Sequence, residues 1–194
     1  MTDQIIIDCI RFAHVIGLAL GLGLALFADF RFLRALCEPI QKADIRFLQR
    51  VHVAVMTALF ILWLSGLSLL YVRTGFEPSA FSPKLIAKLL VVTILTVNAI
   101  AIAKIAMPLL RAAIGQSIYD IALVYRTALI TIGAISAASW MGALMLGIFA
   151  AFKLMPGPTI IVAMQMYFAF TLVGAVLFSC FATTIHRWRC TAGA

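Results

Sequence analysis

His14, His52, His186 and Lys88 are the groups whose type and setting point to chemistry in this chain of 194 residues. Each sits in or beside a long apolar run, where an ionisable side chain is expensive and marks a functional site by default. His14 lies about three turns into the first run. Helical spacing puts His14, Gly17, Gly21, Ala25 and Ala28 on one stripe. Small residues let a neighbouring helix approach closely, and they would equally let a flat cofactor lie against the helix. His14 is therefore expected to face the bundle interior, where a neutral imidazole can bind a metal or a haem iron. The competing account is a packed histidine hydrogen-bonded to a backbone carbonyl or a serine.

Lys88 follows Lys84 by one helical turn, on the same side as His14. One account has both lysines snorkelling outward from a short helix. The other turns Lys88 toward His14, beside a carboxylate such as a haem propionate, or acting on a substrate. Asn98, flanked by Thr93 and Thr96, reads as interhelical glue, since a buried amide must find partners. His52 and His186 enter or end their runs beside Arg50 and Arg187, at matching depth on the other side. A pair of histidines on two helices is what a bis-imidazole haem needs, while the interface also suits any polar residue. Met141, Met145, Met164 and Met166 lie toward the His14 side as soft-metal candidates or core filler.

Helices must position all of these groups. The chain is 64% hydrophobic and 11% charged, with a net charge of +8. Soluble domains carry about a quarter charged residues, so soluble enzymes, disordered tails and nucleic-acid modules are excluded. The four cysteines form no CxxC pair and no zinc spacing. Met1-Thr2-Asp3-Gln4 offers no basic n-region, so the first apolar segment is expected to stay in the mature protein.

A membrane-crossing helix needs roughly 20 apolar residues. Uncharged runs of 17, 22, 15 and 26 residues follow Arg11, Arg50, Lys88 and Arg126. A last run follows the breaker Pro156-Gly157-Pro158. The expectation is an all-α integral membrane protein, one domain over 1–194, with five spans at about 5–33, 47–72, 84–107, 125–152 and 159–187. Pro108 is expected to end the third span, and 114–125 to form an interfacial helix or a turn. Five Lys and Arg fall on one side (Arg11, Arg73, Lys84, Lys88, Lys153) and ten on the other. The positive-inside rule then puts the N-terminus outside and the C-terminus in the cytoplasm of a bacterial inner membrane.

The motifs resemble a known family. Arg11-Phe12-Ala13-His14-Val15-Ile16, the closing Phe27-Ala28-Asp29-Phe30-Arg31-Phe32-Leu33, and Lys88-Leu89-Leu90-Val91-Val92 after Ser82-Pro83 are similar to helices one and three of the HemJ-type membrane protoporphyrinogen oxidases. CopD-like copper-resistance membrane proteins share a related pattern. The likeness covers about residues 9–105. It implies that His14 ligates haem b and that Lys88 corresponds to the family's essential lysine. Three features depart from the pattern. Asn98 stands near a place the family gives to histidine, five spans replace four, and His52 and His186 lie outside it.

Three functions follow as expectations. The first is a haem b-binding membrane protein in electron transfer or porphyrinogen oxidation, a haem-dependent oxidoreductase. The iron does the redox chemistry there, and the protein sets access and potential. The second is copper handling in the CopD manner, with His14 and the methionines as a relay; Lys88 opposes it, because a cation disfavours a cationic metal nearby. The third is a non-catalytic subunit docked by its small-residue faces on a larger membrane complex. The expected partners are the lipid bilayer, a membrane redox partner or larger complex, and a second copy of the chain, with no nucleic acid.

Overall fold

The computed structural model describes residues 2–34 and 38–192, with side chains described for 3–33 and 38–181. Its described residues are helical with no strand. The α-helices in chain order are α1 (Thr2–Arg34), α2 (Lys42–Thr74), α3 (Pro83–Ala101), α4 (Met107–Ala112), α5 (Leu123–Ile148) and α6 (Gly157–Ala192). A π turn, Ile102–Ala106, joins α3 to α4, so these three pieces form one continuous rod. Five rods are long and apolar enough to cross a membrane: Asp3–Leu33, Lys42–Thr74, Pro83–Ala112, Leu123–Ile148 and Gly157–Phe181.

Local chemistry sets the ends of these rods. Asp44 Oδ2 accepts from the Gln41 backbone N–H at 3.0 Å, which satisfies one of the donors left free at the start of α2. Gly75 closes α2 in the left-handed region (φ 59°), where glycine carries no Cβ penalty. The Ser82 hydroxyl accepts from the Leu85 N–H at 3.3 Å, and Pro83 occupies the first turn of α3, where its missing N–H costs nothing.

Two boundaries depart from the sequence expectation. The third rod passes through Pro108 and ends at Ala112. Ahead of that proline the Met107 N–H reaches back to the Ile102 carbonyl, five residues away. This wider turn relaxes the clash of the proline ring with the carbonyl four residues back. The fourth rod stops at Ile148, because Phe149 turns extended (ψ 112°) and a 3₁₀ turn, Ala150–Lys153, follows. Residues 114–121 form a turn, with Gly115 at φ 89° and the buried Ile118 beneath it.

α5 is the central rod, packed against α1, α3 and α6, while α1 lies along α2. Trp140, fully buried on α5, fills the middle of the bundle with Leu59, Leu62 and Leu95. Outward faces carry Phe12, Val15, Phe60, Leu64, Phe170 and Phe181, each more than half exposed. Large apolar side chains pointing outward on every rod are what a lipid-facing surface requires. By length and composition, five of its helices are able to cross a membrane, as in a multi-pass membrane protein.

Candidate functional site

The site at the start of α1 is built around His14. Its Nδ1 lies 3.0 Å from the Ser65 hydroxyl on α2. Ser65 has one hydroxyl hydrogen, and that oxygen lies 2.6 Å from the Ile61 carbonyl, which can only accept. The serine therefore donates to Ile61, and its oxygen accepts from His14. This arrangement favours a proton on Nδ1 and a lone pair on Nε2, and the Leu62 carbonyl is a further partner of the ring. Such a second-sphere bond is how proteins fix the tautomer of a ligating histidine. Gly66 makes room for the ring: a Cβ there would stand 3.3 Å from His14 Cε1.

The small-residue stripe below His14 is filled by protein. A Cβ on Gly17 would press on the α2 backbone, 3.2 Å from the Ala58 carbonyl oxygen. A Cβ on Gly21 would collide with the edge of the Trp140 ring, closest to Cη2 and 2.6 Å from Cζ2 and Cζ3. The stripe is a close-packing surface for α2 and α5, and no flat cofactor shares it.

Lys88 is half-buried on α3, close enough to His14 for their charges to interact. Arg73, Lys84 and Lys153 act on it in the same way. Among the described residues none of these four cations is within ion-pair distance of a carboxylate. Lys84 does not snorkel: it is 8% exposed, and its Nζ donates to the Phe149 carbonyl at 2.8 Å, closing the end of α5. Helix ends leave carbonyls without partners, and a lysine side chain is a natural cap for one. What remains is a cluster of positive charge around Lys88, with His14 close to it.

Asn98 behaves as interhelical glue, donating from Nδ2 to the Ile132 carbonyl on α5 at 3.1 Å. Thr96 accepts from the Trp63 indole at 2.9 Å and ties α3 to α2. The methionines separate. Met145 and Met164 pack with Val91, Leu146 and Ile160, while Met141 and Met166 are exposed on the outer surface. Among the described residues no group of three or more His, Cys, Asp or Glu side chains can hold a metal ion.

At the other end, His52 on α2 lines a cavity together with Asp29 of α1. The His186 side chain lies outside the described residues, so a pairing with His52 has no geometry to report. Asp29 is the residue that sequence reasoning missed, because its charge marked the end of an apolar run. The spacing Gly21–Ala25–Asp29, in steps of four, carries the signal that it continues an inward face. No protein family, curated protein or solved structure matches the chain.

Proposed function

We propose that the chain is a haem b-binding protein of the bacterial inner membrane, resembling the HemJ type, in electron transfer or porphyrinogen oxidation. The observation that carries this reading is the His14–Ser65 bond: with the Ser65 hydroxyl placed to donate to Ile61, Nδ1 is the nitrogen that carries the proton and Nε2 the one left to act as a ligand. Neutral imidazole in this form is the usual axial donor to haem iron. Lys88, with Arg73, Lys84 and Lys153 around it, supplies positive charge for anionic propionates or an anionic substrate. The residues at this end fit the group in donor and in charge; the closed stripe below them does not, which confines the fit to His14 and its cations.

When bound, the haem supplies one-electron chemistry. The protein's share is to hold His14 through Ser65, to hold the anionic end through Lys88, and to exclude water with apolar helices. The ten-to-five distribution of Lys and Arg puts His14 and Lys88 on the outer side of the bilayer, with the C-terminus in the cytoplasm. A redox partner within the membrane and self-association both suit this reading.

Purified protein from haem-replete cells is expected to show a Soret band that shifts on adding dithionite. His14→Ala abolishes or shifts it. A colourless wild type overturns the haem reading, and an unchanged His14→Ala spectrum moves the ligand elsewhere. The filled Gly17–Gly21 stripe leaves no room there for a flat cofactor, and the second reading is a non-catalytic subunit that docks on a larger membrane complex through its other faces. Colourless protein that co-purifies with a larger complex selects it. Copper found without haem selects the CopD-like alternative, with His14 as the metal ligand.

A further inference from the structure

A cavity of about 110 Å³ lies at the end of the bundle away from His14, walled by α1, α2, the π turn, α4 and α5. Fifteen residues separate Asp29 from His14, which is about 22 Å along α1. Three polar side chains line the cavity: Asp29, His52 and Ser136. The rest of the wall is apolar, with Val55, Leu110 and Ile132 among its members. No lysine or arginine lines it.

The charge count fixes one property of an occupant. Asp29 Oδ2 is sealed from solvent and makes no hydrogen bond. A carboxylate enclosed among apolar groups without a partner is costly by several kcal/mol, and buried charges are found paired. Arg126 Nε, Ser139 Oγ and Trp140 Nε1 are the other buried polar atoms without partners among the described residues, and none of those residues lines this cavity. Asp29 is the one acidic residue on this wall and no lysine or arginine answers it there, so the occupant that suits the cavity is positive.

Size and wall chemistry fix the rest. A bare proton needs no cavity. A hard inorganic cation takes about six or more oxygen ligands, and the side chains here supply oxygen only from Asp29 and Ser136. A dry apolar cavity of roughly 150 Å³ accepts benzene, so this one suits a slightly smaller hydrocarbon. The π turn adds to the case: Ile102 and Ala106, its first and last residues, both line the cavity. One extra residue widens the rod here, and such turns concentrate at functional sites.

We propose that this cavity binds a small organic ammonium, a short hydrocarbon bearing one protonated amine. Asp29 holds the ammonium, His52 and Ser136 offer acceptors to its remaining N–H groups, and the aliphatic wall encloses the body. The inference stands apart from the haem reading, since it uses none of the residues around His14. Free amines and lipid amino headgroups both present this chemistry.

The test is calorimetric titration of the delipidated full-length protein in detergent with n-butylammonium chloride, alongside thermal unfolding. Saturable binding is expected, weakened at least tenfold by Asp29→Asn, and n-butanol of the same shape binds at least tenfold more weakly. Should Asp29→Asn fail to fold, Gly133→Leu serves instead. A Cβ at Gly133 stands 3.9 Å from Asp29 Oδ1, so a longer side chain there fills the space before the carboxylate and removes binding. Competition by phosphatidylethanolamine in nanodiscs assigns the site to a headgroup, and its absence assigns it to a free amine. No binding of n-butylammonium overturns the proposal. So does equal binding of n-butanol, an equal effect of sodium chloride, or full affinity in both variants.

Discussion

The two ends of α1 each place one titratable residue on an inward face, and their surroundings are opposite. His14 is met by a serine oriented for it, on a helix whose glycine clears space for its ring. Asp29 is met by an aliphatic cavity and an oxygen without a partner. Between them the helix is sealed against Trp140 and the α2 backbone. The difference teaches that burial of an ionisable group has two structural signatures. One is completed by a partner within the chain, and the other leaves an oxygen without a hydrogen bond on a residue that lines a cavity.

The largest expected effect comes from breaking the seal between the two ends. Trp140→Ala removes a fully buried indole and should cost about 3 kcal/mol, the low end for a core tryptophan because lipid rather than water is the reference. Unfolding in mixed detergent micelles measures it. A loss below about 1 kcal/mol would mean that the contact with Gly21 does not hold the bundle's centre.

Next in size is Ser65→Ala, which leaves the His14 Nδ1–H unpaired and should cost roughly 1–3 kcal/mol. Nitrogen NMR of labelled wild type should show a protonated Nδ1 and an unprotonated Nε2, and in Ser65→Ala a mixture of tautomers. An Nε2-protonated ring in wild type would reverse the hydrogen-bond assignment and remove the free lone pair. Asn98→Ala, which loses one bond between α3 and α5, should cost about 0.6 kcal/mol, the mean for interhelical hydrogen bonds in a membrane.

The smallest effect is expected at Asp29. Asp29→Asn keeps the shape and removes an unpaired charge, so ligand-free stability should stay the same or rise slightly. Destabilisation beyond about 2 kcal/mol would show that the carboxylate already has its partner within the chain, and the contrast with His14 would collapse.

The sequence made some of this legible and hid the rest for physical reasons. The five rods were readable because uncharged runs of membrane length leave few alternatives. The inward placement of His14 was readable from the small-residue stripe, while the stripe's occupant was not, since Trp140 lies on a helix more than a hundred residues later. Lys84 illustrates the same limit. A lysine near a helix end normally snorkels, and only the turn at Phe149 turns it inward. The passage of the third rod through Pro108 depends on a π turn for which no local residue gives a signal. Asp29 was hidden by its charge, which reads as a boundary in one dimension and as a wall of a cavity in three.

The stretch beyond α1 and the turn after α4 are joined by two backbone bonds. The Ile40 N–H donates to the Gln116 carbonyl, and the Gly115 N–H donates to the Ile40 carbonyl, each at 2.9 Å. In time rather than space, this clasp sets an order of assembly. As the chain is made, residues 115–116 emerge only after α3 and α4, so until then the Ile40 N–H and carbonyl must find other partners. The clasp can shut only once the whole third rod has been made, which makes it a latch between residue 40 and the far end of that rod.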